Sequence, residues 1–310
     1  MSLAVVKSGV LSLLQDSGRR GYHRLGLTNG GALDGEAYHY LNRLLQNPSD
    51  ATAIEVSVGG LALRVQVDTY ICVTGAAVPL AINGEEKALW CVHPVNAGDD
   101  IELGFATRGC RAYLGVADGF TVSAQFGSTA TVVREGIGGL NGKPLAQGDE
   151  LPCAAVRARR RLELPAAQQP RYSNHLTVRV IPGYQRHLFN RIEKRRFFGA
   201  PYTVSDQSDR MGYRLEGAPV DCAVEGILSE GICQGAIQIP PDGNPIVLLN
   251  DRQTIGGYPK MGAALSLDTA RLAQLTPGAT VHFAPVTRAT AMRALDLAGR
   301  FTLNKPLKEF

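Results

Sequence analysis

The sequence has 310 residues, 45% of them hydrophobic and 19% charged, which is typical of a folded globular protein and excludes a disordered chain. Its formal net charge of +4, from 32 basic and 28 acidic residues, is too small to indicate a nucleic-acid-binding surface. No stretch approaches the roughly 18 apolar residues of a membrane helix, so we predict a cytoplasmic protein with no nucleic-acid or membrane partner.

The predicted elements are mostly short β-strands. The chain contains 35 glycines and 17 prolines without a period, which favours many turns over long helices. Two β-branched runs bounded by turn residues, at 70–74 and 112–117, are predicted strands. The helix predicted in the first half covers residues 34–45, where Asp34 can cap the N-terminus and apolar residues recur at helical spacing.

Residues 154–174 mark the predicted domain boundary. This stretch carries an arginine cluster, two prolines and little to bury, as in a solvated linker. We predict an N-terminal β-barrel-like domain at 1–155, a linker at 156–174 and a C-terminal β-barrel domain at 175–310. Turns that contain glycine and precede a strand recur along the chain, which suggests that the same barrel topology occurs in both domains.

A polar loop that follows the apolar residues 246–249 is a candidate functional segment. The run IVLL leads into NDRQT and then into GGYPK. A Walker phosphate loop is excluded, because Pro259 precedes Lys260 and no Ser or Thr follows. Two interpretations remain open. The amide, hydroxyl, phenol and ammonium groups of the loop neutralise an oxyanion and position an amide, or the loop is a plain β-hairpin turn with a solvated lysine.

Two further segments are rich in polar side chains. The first places Gln15, Asp16 and Arg19 directly after an apolar strand. The second surrounds a Met-Gly turn at 211–212 with aspartates and arginines, which form either part of a site or a turn clamp. No metal or serine-hydrolase site is predicted, because the histidines lack metal-ligand spacing and no G-x-S-x-G sequence occurs. The six cysteines lie far apart without a C-x-x-C pair, so we predict free thiols in a reducing compartment.

Taken in order, these segments resemble one family. The matching stretches include QDSGR at 15–19, GGALD at 30–34, SDRMGYRL at 208–215, GAIQ at 235–238 and the run from DRQT to GGYPK at 251–260. By these motifs the sequence is identified as a member of the biotin-dependent carboxyltransferase-like proteins, also called the allophanate hydrolase subunit 2 family. The resemblance implies a mainly β fold with a few helices, in which two cyclophilin-like β-barrel domains have a cleft between them.

The resemblance also implies a function, that of one component of an ATP-dependent 5-oxoprolinase, which opens the lactam of 5-oxoproline to give glutamate. In this interpretation the chain belongs to a hetero-oligomer with homologues of the A and B subunits of that enzyme, and ATP is used together with a partner chain. Two alternatives stay open: a non-catalytic regulatory protein that antagonises a kinase inhibitor, and a urea- or allophanate-type carboxyltransferase component. Biotin is implied only in the second alternative.

Site roles follow from the resemblance and from the chemistry of amide opening, in which developing negative charge must meet donors and cations. Lys260 and Arg19 are expected to stabilise that charge, and the amide side chains are expected to orient the substrate. The predicted catalytic residues are Lys260, Gln253, Glu230 and Asp209. The predicted substrate-binding residues are Gln15, Asp16, Arg19, Asn42, Gln238, Thr254, Gly256, Gly257, Tyr258, Arg210 and Arg214. No metal ligand is predicted.

Overall fold

The computed structural model describes all 310 residues, which form two compact units. Unit 1 comprises Met1–Arg20, Gly30–Tyr172 and Leu303–Phe310, and unit 2 comprises Gly21–Asn29 and Ser173–Thr302. Both units are built mainly from β-strands, with four α-helices in the whole chain, so the predicted mainly β fold with a few helices is confirmed. A closed barrel is present in unit 2, whereas the strands of unit 1 form open sheets and not the predicted second barrel. The longest helices have ten residues, and none is long and apolar enough to cross a membrane.

Unit 1 contains two large antiparallel sheets and one two-stranded sheet near the end of the chain. Its strands are β1 (Ser2–Ser8), β2 (Leu11–Gln15), β3 (Ala53–Ser57), β4 (Leu61–Val65), β5 (Thr69–Ala77), β6 (Leu80–Ile82), β7 (Glu85–Lys87), β8 (Val92–Val95), β9 (Asp100–Leu103), β10 (Arg108–Val116), β11 (Glu150–Pro152) and β12 (Leu162–Glu163). One sheet has the order β11-β1-β4-β9-β6-β7, and the other has the order β2-β3-β10-β5-β8. Apolar side chains from both sheets, such as Leu3, Leu63 and Ile54, form one buried core.

Helix α1 (Gly35–Leu44) lies against the second sheet and confirms the helix predicted for this stretch. Asp34 is its N-cap, since Asp34 Oδ1 accepts a hydrogen bond from the Ala37 backbone N–H at 3.1 Å. Leu41 of the helix packs on Gly115 of β10, where a Cβ atom would lie 3.0 Å from the leucine side chain. The absence of a side chain at 115 therefore lets the helix approach the sheet closely.

Unit 2 is built on a closed barrel. Its strands are β13 (His175–Pro182), β14 (Tyr202–Val204), β15 (Gly212–Gly217), β16 (Glu230–Gly231), β17 (Ala236–Gln238), β18 (Ile246–Leu248), β19 (Ile255–Gly256), β20 (Lys260–Ala264) and β21 (Thr280–Pro285). The barrel order is β13-β20-β17-β18-β15-β14-β21, and β16 pairs with β19 in a separate two-stranded ribbon. The helices of the unit are α2 (Arg191–Gly199), α3 (Ser266–Leu272) and α4 (Arg288–Leu297).

The structure corrects the linker predicted at 156–174, because most of that segment belongs to unit 1. Leu162 and Leu164 are buried, and β12 pairs with β22 (Lys308–Glu309) near the end of the chain. The arginines suggested a solvated linker, whereas burial of the two leucines decides the packing. The C-terminal residues likewise belong to unit 1 and not to the second predicted domain.

Candidate functional site

Gln15 and Asp16, which were predicted to bind substrate, form hydrogen bonds inside unit 1. Gln15 Nε2 donates to the Thr131 carbonyl at 2.9 Å, and Gln15 Oε1 accepts from the Gly31 backbone N–H at 2.9 Å. Asp16 Oδ1 accepts from the Ser128 hydroxyl at 2.7 Å. Both side chains are buried, and these contacts satisfy polar atoms that would otherwise be costly to bury.

Arg19 and Asn42 also contact the backbone of unit 1. Arg19 Nε donates to the Gln125 carbonyl at 3.0 Å, and one of its terminal nitrogens donates to the Ala130 carbonyl at 3.2 Å. Asn42, on α1, donates to the Ala51 carbonyl at 3.3 Å. The four predicted residues from the first half of the chain therefore hold backbone segments of unit 1 in place, and their contact with a substrate stays a prediction.

Unit 2 contains a pocket of about 320 Å³, near the lower end of the range for small-molecule sites. Seven of the predicted site residues line it: Asp209, Arg214, Gln238, Gln253, Gly256, Gly257 and Tyr258. The other lining residues are Gln207, Met211, Gly212, Ile246, Leu248 and Arg252. Apolar walls with carboxamide, carboxylate, phenol and guanidinium groups are suited to a small polar molecule.

Gln238 and Gln253 present carboxamide groups at this pocket. Gln238, on β17, is buried and Gln253 is exposed, and neither side chain forms a hydrogen bond within the protein. The carboxamide atoms of Gln238 are not enclosed by the protein, so a ligand in the pocket can reach them and replace water there. The two carboxamides are therefore available to a ligand.

Gly256 lets strand β19 pass close to Gln238. A Cβ atom on Gly256 would lie 2.8 Å from Gln238 Nε2 and 2.3 Å from Ile232 Cδ1, closer than side chains approach one another. The φ angle of Gly256 is not in the left-handed region, so glycine is required here by space and not by backbone conformation. Gly256 also pairs with Glu230 across the ribbon. The ribbon backbone thus forms one wall of the pocket.

Gly256→Ala is expected to lower the free energy of unfolding by about 1–3 kcal/mol, because the added methyl group displaces the Gln238 and Ile232 side chains. Urea-induced unfolding measures the change. Gly231→Ala is the matched control on the same ribbon, since a Cβ there meets no atom within 4 Å. That control should stay within about 0.5 kcal/mol of the wild-type value. Equal changes in the two variants would contradict the steric explanation.

Lys260 lies next to the pocket without being part of its lining. It is the cross-strand partner of Gln238, so the two side chains are neighbours on one face of the sheet. Lys260 Nζ lies 2.5 Å from Glu230 Oε1 in an ion pair, and this buried ammonium has no other acceptor. Lys260 is therefore a direct cross-strand neighbour of Gln238, whose carboxamide lines the pocket.

Glu230 is held by several neighbours. Its carboxylate accepts hydrogen bonds from the Tyr184 hydroxyl and, at 2.9 Å, from Gln185 Nε2. The contact with the Lys260 ammonium, and then the hydrogen bond from Tyr184, holds the pKa of Glu230 below its usual value. Glu230 is thus ionised at neutral pH and serves as the counter-ion of Lys260, while its predicted catalytic role stays a prediction.

Two of the predicted substrate-binding arginines are ion-paired. Arg210 donates to both oxygens of Asp251, at 2.9 and 3.0 Å, and both side chains are buried. Arg214 lines the pocket and pairs with Asp242. Arg210 and Thr254 are not part of the lining. The Arg210 guanidinium holds the Met-Gly turn to the NDRQT segment, as in the clamp interpretation, and its contact with a substrate stays a prediction.

Arg252 lines the pocket and was missed as a site residue. It is 4% exposed, and its nitrogens donate to the Ile232 carbonyl, the Leu249 carbonyl and Asn29 Oδ1, each at 3.2 Å. Burial lowers the pKa of this guanidinium. Arg252 lies in the polar NDRQT segment, which was the only sequence feature that pointed to it. The sequence of that segment does not show which of its polar side chains is buried.

Comparison with known proteins identifies the family. A family model described as "Carboxyltransferase domain, subdomain A and B" matches residues 25–285. The chain belongs to the carboxyltransferase domain family. The family predicted from the polar motifs is thereby confirmed, and most of these motifs lie within the matched residues.

Relatives of this carboxyltransferase domain occur in two contexts. The chain is 35% identical over 295 residues to the C subunit of 5-oxoprolinase from Escherichia coli strain K12, and the match covers 94% of each protein. It is 34% identical over 275 residues to the C subunit of 5-oxoprolinase from Haemophilus influenzae, with 88% of each covered. The crystal structure of the K. lactis urea amidolyase matches with a TM-score of 0.91 at 26% identity, over 98% of this chain and 20% of that one. The fold thus occurs both inside a larger enzyme and as a separate polypeptide.

Proposed function

We propose that this carboxyltransferase domain protein is one component of an ATP-dependent 5-oxoprolinase and that the pocket of unit 2 binds the lactam. The carboxamides of Gln238 and Gln253 carry the proposal, because they line the pocket and have no partner in the protein. A carboxamide offers both an oxygen acceptor and N–H donors, which complement the N–H and C=O of a lactam. The names of the two relatives at 34% and 35% identity support the choice of reaction.

Lactam opening breaks the ring C–N bond, adds a hydroxyl group from water to the carbonyl carbon and leaves the proton on the nitrogen. Negative charge develops on the carbonyl oxygen during this step. Lys260 is the cation next to Gln238, and in the proposal it stabilises that charge. Asp209 lines the pocket, and its Oδ1 accepts a hydrogen bond from the Met211 backbone N–H at 2.7 Å. In the proposal this carboxylate exchanges the proton with the substrate nitrogen.

ATP is assigned to a partner chain in this proposal, because the glycine loop does not fit a triphosphate. Gly256 pairs with Glu230 in the ribbon, and the Gly257 carbonyl accepts from the Ile227 backbone N–H at 2.7 Å. Gly256 is therefore part of a strand pair, whereas a phosphate loop presents a run of backbone N–H groups to its ligand. Pro259 contributes no N–H group at all. No step is routed through ATP on this chain.

The proposed enzyme is a cytoplasmic hetero-oligomer with homologues of the A and B subunits of 5-oxoprolinase. Both relatives are named as the C subunit of that enzyme, which supports the existence of partner chains. All six cysteines are free thiols, which agrees with a reducing compartment.

Purification of the chain together with the homologues of the A and B subunits tests the proposal. We expect this complex to hydrolyse ATP when 5-oxoproline is added, and we expect Gln253→Ala to slow that hydrolysis about tenfold, because one contact to the lactam is lost. Gln66→Ala is the control, since Gln66 is exposed in unit 1 and should leave the rate unchanged. A complete complex without 5-oxoproline-dependent ATP hydrolysis would contradict the proposal.

A urea-type carboxyltransferase component is the second candidate, favoured by the match to the K. lactis urea amidolyase. Biotin would be involved only in this case, attached to another chain. Transfer of a carboxyl group from a biotinylated carrier to urea, without lactam-dependent ATP hydrolysis, would select this candidate. A regulatory binding protein, the third possibility, would form the complex and remain insensitive to Gln253→Ala.

A further inference from the structure

We propose that Arg252 binds the carboxylate of the substrate, so that the pocket selects amides that carry a carboxylate over uncharged amides. This inference rests on the proposed function, because it names the substrate class of the same pocket. Arg252 is then a specificity-determining residue.

Unit 2 buries three basic side chains, and two of them have a carboxylate partner. Arg210 is bonded to Asp251, and Lys260 Nζ lies 2.5 Å from Glu230. Arg252 forms no ion pair, and each of its three hydrogen bonds goes to an uncharged oxygen. A buried charge without a counter-ion is costly. The pocket that Arg252 lines is therefore expected to receive an anion.

The guanidinium of Arg252 has unused donors. A guanidinium carries five N–H groups, of which Nε has one and each terminal nitrogen has two. The Nε group donates to Ile232, one terminal nitrogen donates to Leu249, and the other donates to Asn29. One N–H group therefore remains on each terminal nitrogen. A carboxylate has two oxygens, one for each of these N–H groups.

The other charged side chains of the lining leave Arg252 unneutralised. Arg214 is already paired with Asp242. Asp209 is exposed to water, and its Oδ1 accepts from the Met211 backbone N–H. The buried excess is a single positive charge, which favours a singly charged carboxylate over a phosphate dianion. 5-Oxoproline is a five-membered lactam with one carboxylate. It therefore combines a single negative charge with the amide that Gln238 and Gln253 are proposed to recognise.

Calorimetric titration of the full chain with 5-oxoproline and with 2-pyrrolidinone tests the inference, because 2-pyrrolidinone is the same lactam without the carboxylate. We expect the wild-type chain to bind 5-oxoproline about 10- to 100-fold more tightly than 2-pyrrolidinone. Arg252→Gln should abolish this preference and leave the affinity for 2-pyrrolidinone nearly unchanged. Arg252→Lys should keep part of the preference, since it retains the charge and loses the paired N–H groups.

Arg195→Gln is the matched control, because Arg195 is exposed on α2 and should keep the full preference. Equal affinity of the wild-type chain for the two lactams, or binding of neither, would overturn the inference. An equal loss of both lactams in Arg252→Gln, with circular dichroism unchanged, would indicate a structural role and overturn it as well. Tighter binding of inorganic phosphate than of 5-oxoproline would overturn the carboxylate assignment.

These titrations contain no ATP and no partner chain. Failure of lactam-dependent ATP hydrolysis in the complex therefore leaves the carboxylate preference of the pocket measurable. Conversely, a complex that hydrolyses ATP with 5-oxoproline while Arg252→Gln retains the wild-type preference would refute the role of Arg252 and leave the proposed reaction intact.

Discussion

Asp251→Ala is expected to lower the free energy of unfolding by about 3–5 kcal/mol, the largest stability change that we predict. The Arg210 side chain is 7% exposed and donates to both oxygens of the Asp251 carboxylate, at 2.9 and 3.0 Å. Removal of this carboxylate leaves the arginine charge in the interior without the anion that compensates its desolvation. Urea-induced unfolding followed by circular dichroism measures the loss.

Asp242→Ala provides the matched comparison. It removes the carboxylate that pairs with Arg214. The Asp242 side chain is 39% exposed and the Arg214 side chain is 32% exposed. Water screens and replaces such an ion pair, so we expect a loss below about 1 kcal/mol. Equal losses in the two variants would contradict the assignment of the large effect to burial.

Lys260→Met is expected to reduce 5-oxoproline-dependent ATP hydrolysis by the assembled complex about 10²- to 10³-fold, mainly in kcat. In the proposed mechanism the ammonium stabilises negative charge that appears only during attack on the carbonyl, so its loss affects the rate more than substrate binding. Steady-state kinetics over a range of 5-oxoproline concentrations separate kcat from KM. Lys7→Met, at an exposed position on β1, should match the wild type.

Glu230→Gln distinguishes a catalytic lysine from a structural one. The substitution removes the counter-ion of Lys260 and keeps a side chain that can bond to Tyr184 and Gln185. If Lys260 stabilises charge during the reaction, the glutamine variant should retain most of the activity that the methionine variant loses. Equal loss in the two variants would show that the ion pair itself is what matters.

Local elements were predictable where several short-range signals agree. Asp34, the spacing of the leucines and the polar residues that follow gave helix α1 almost to the residue. The strand predicted at 70–74 lies within β5, and the strand predicted at 112–117 overlaps the end of β10 and extends one residue beyond it. In each case the local sequence, over about ten residues, already favours the observed conformation. Tertiary contacts therefore did not have to change the local preference.

The division into units was less predictable, because it depends on contacts between distant residues. Leu162 of β12 pairs with Glu309, and nothing in the arginine-rich sequence around Leu162 indicates this pairing. The site shows the same limit. The motifs predicted Gln238, Gln253 and Gly256 as site residues, and all three line one pocket. The hydrogen-bonded ion pair between Arg210 and Asp251, which are 41 residues apart, follows only from the fold. Arg252 was missed because burial decides its importance.

The segment Gly21–Asn29 has a consequence for any attempt to dissect the molecule. It belongs to unit 2 although unit 1 surrounds it in sequence, so the backbone passes between the units four times, after residues 20, 29, 172 and 302. Neither unit is therefore a continuous stretch of polypeptide. A fragment that begins at Ser173 would lack Asn29, whose side-chain oxygen accepts from Arg252 at 3.2 Å. The pocket can be expected in its native form only when the N-terminal region is present, and any transfer of unit 2 to another protein has to include both of its segments.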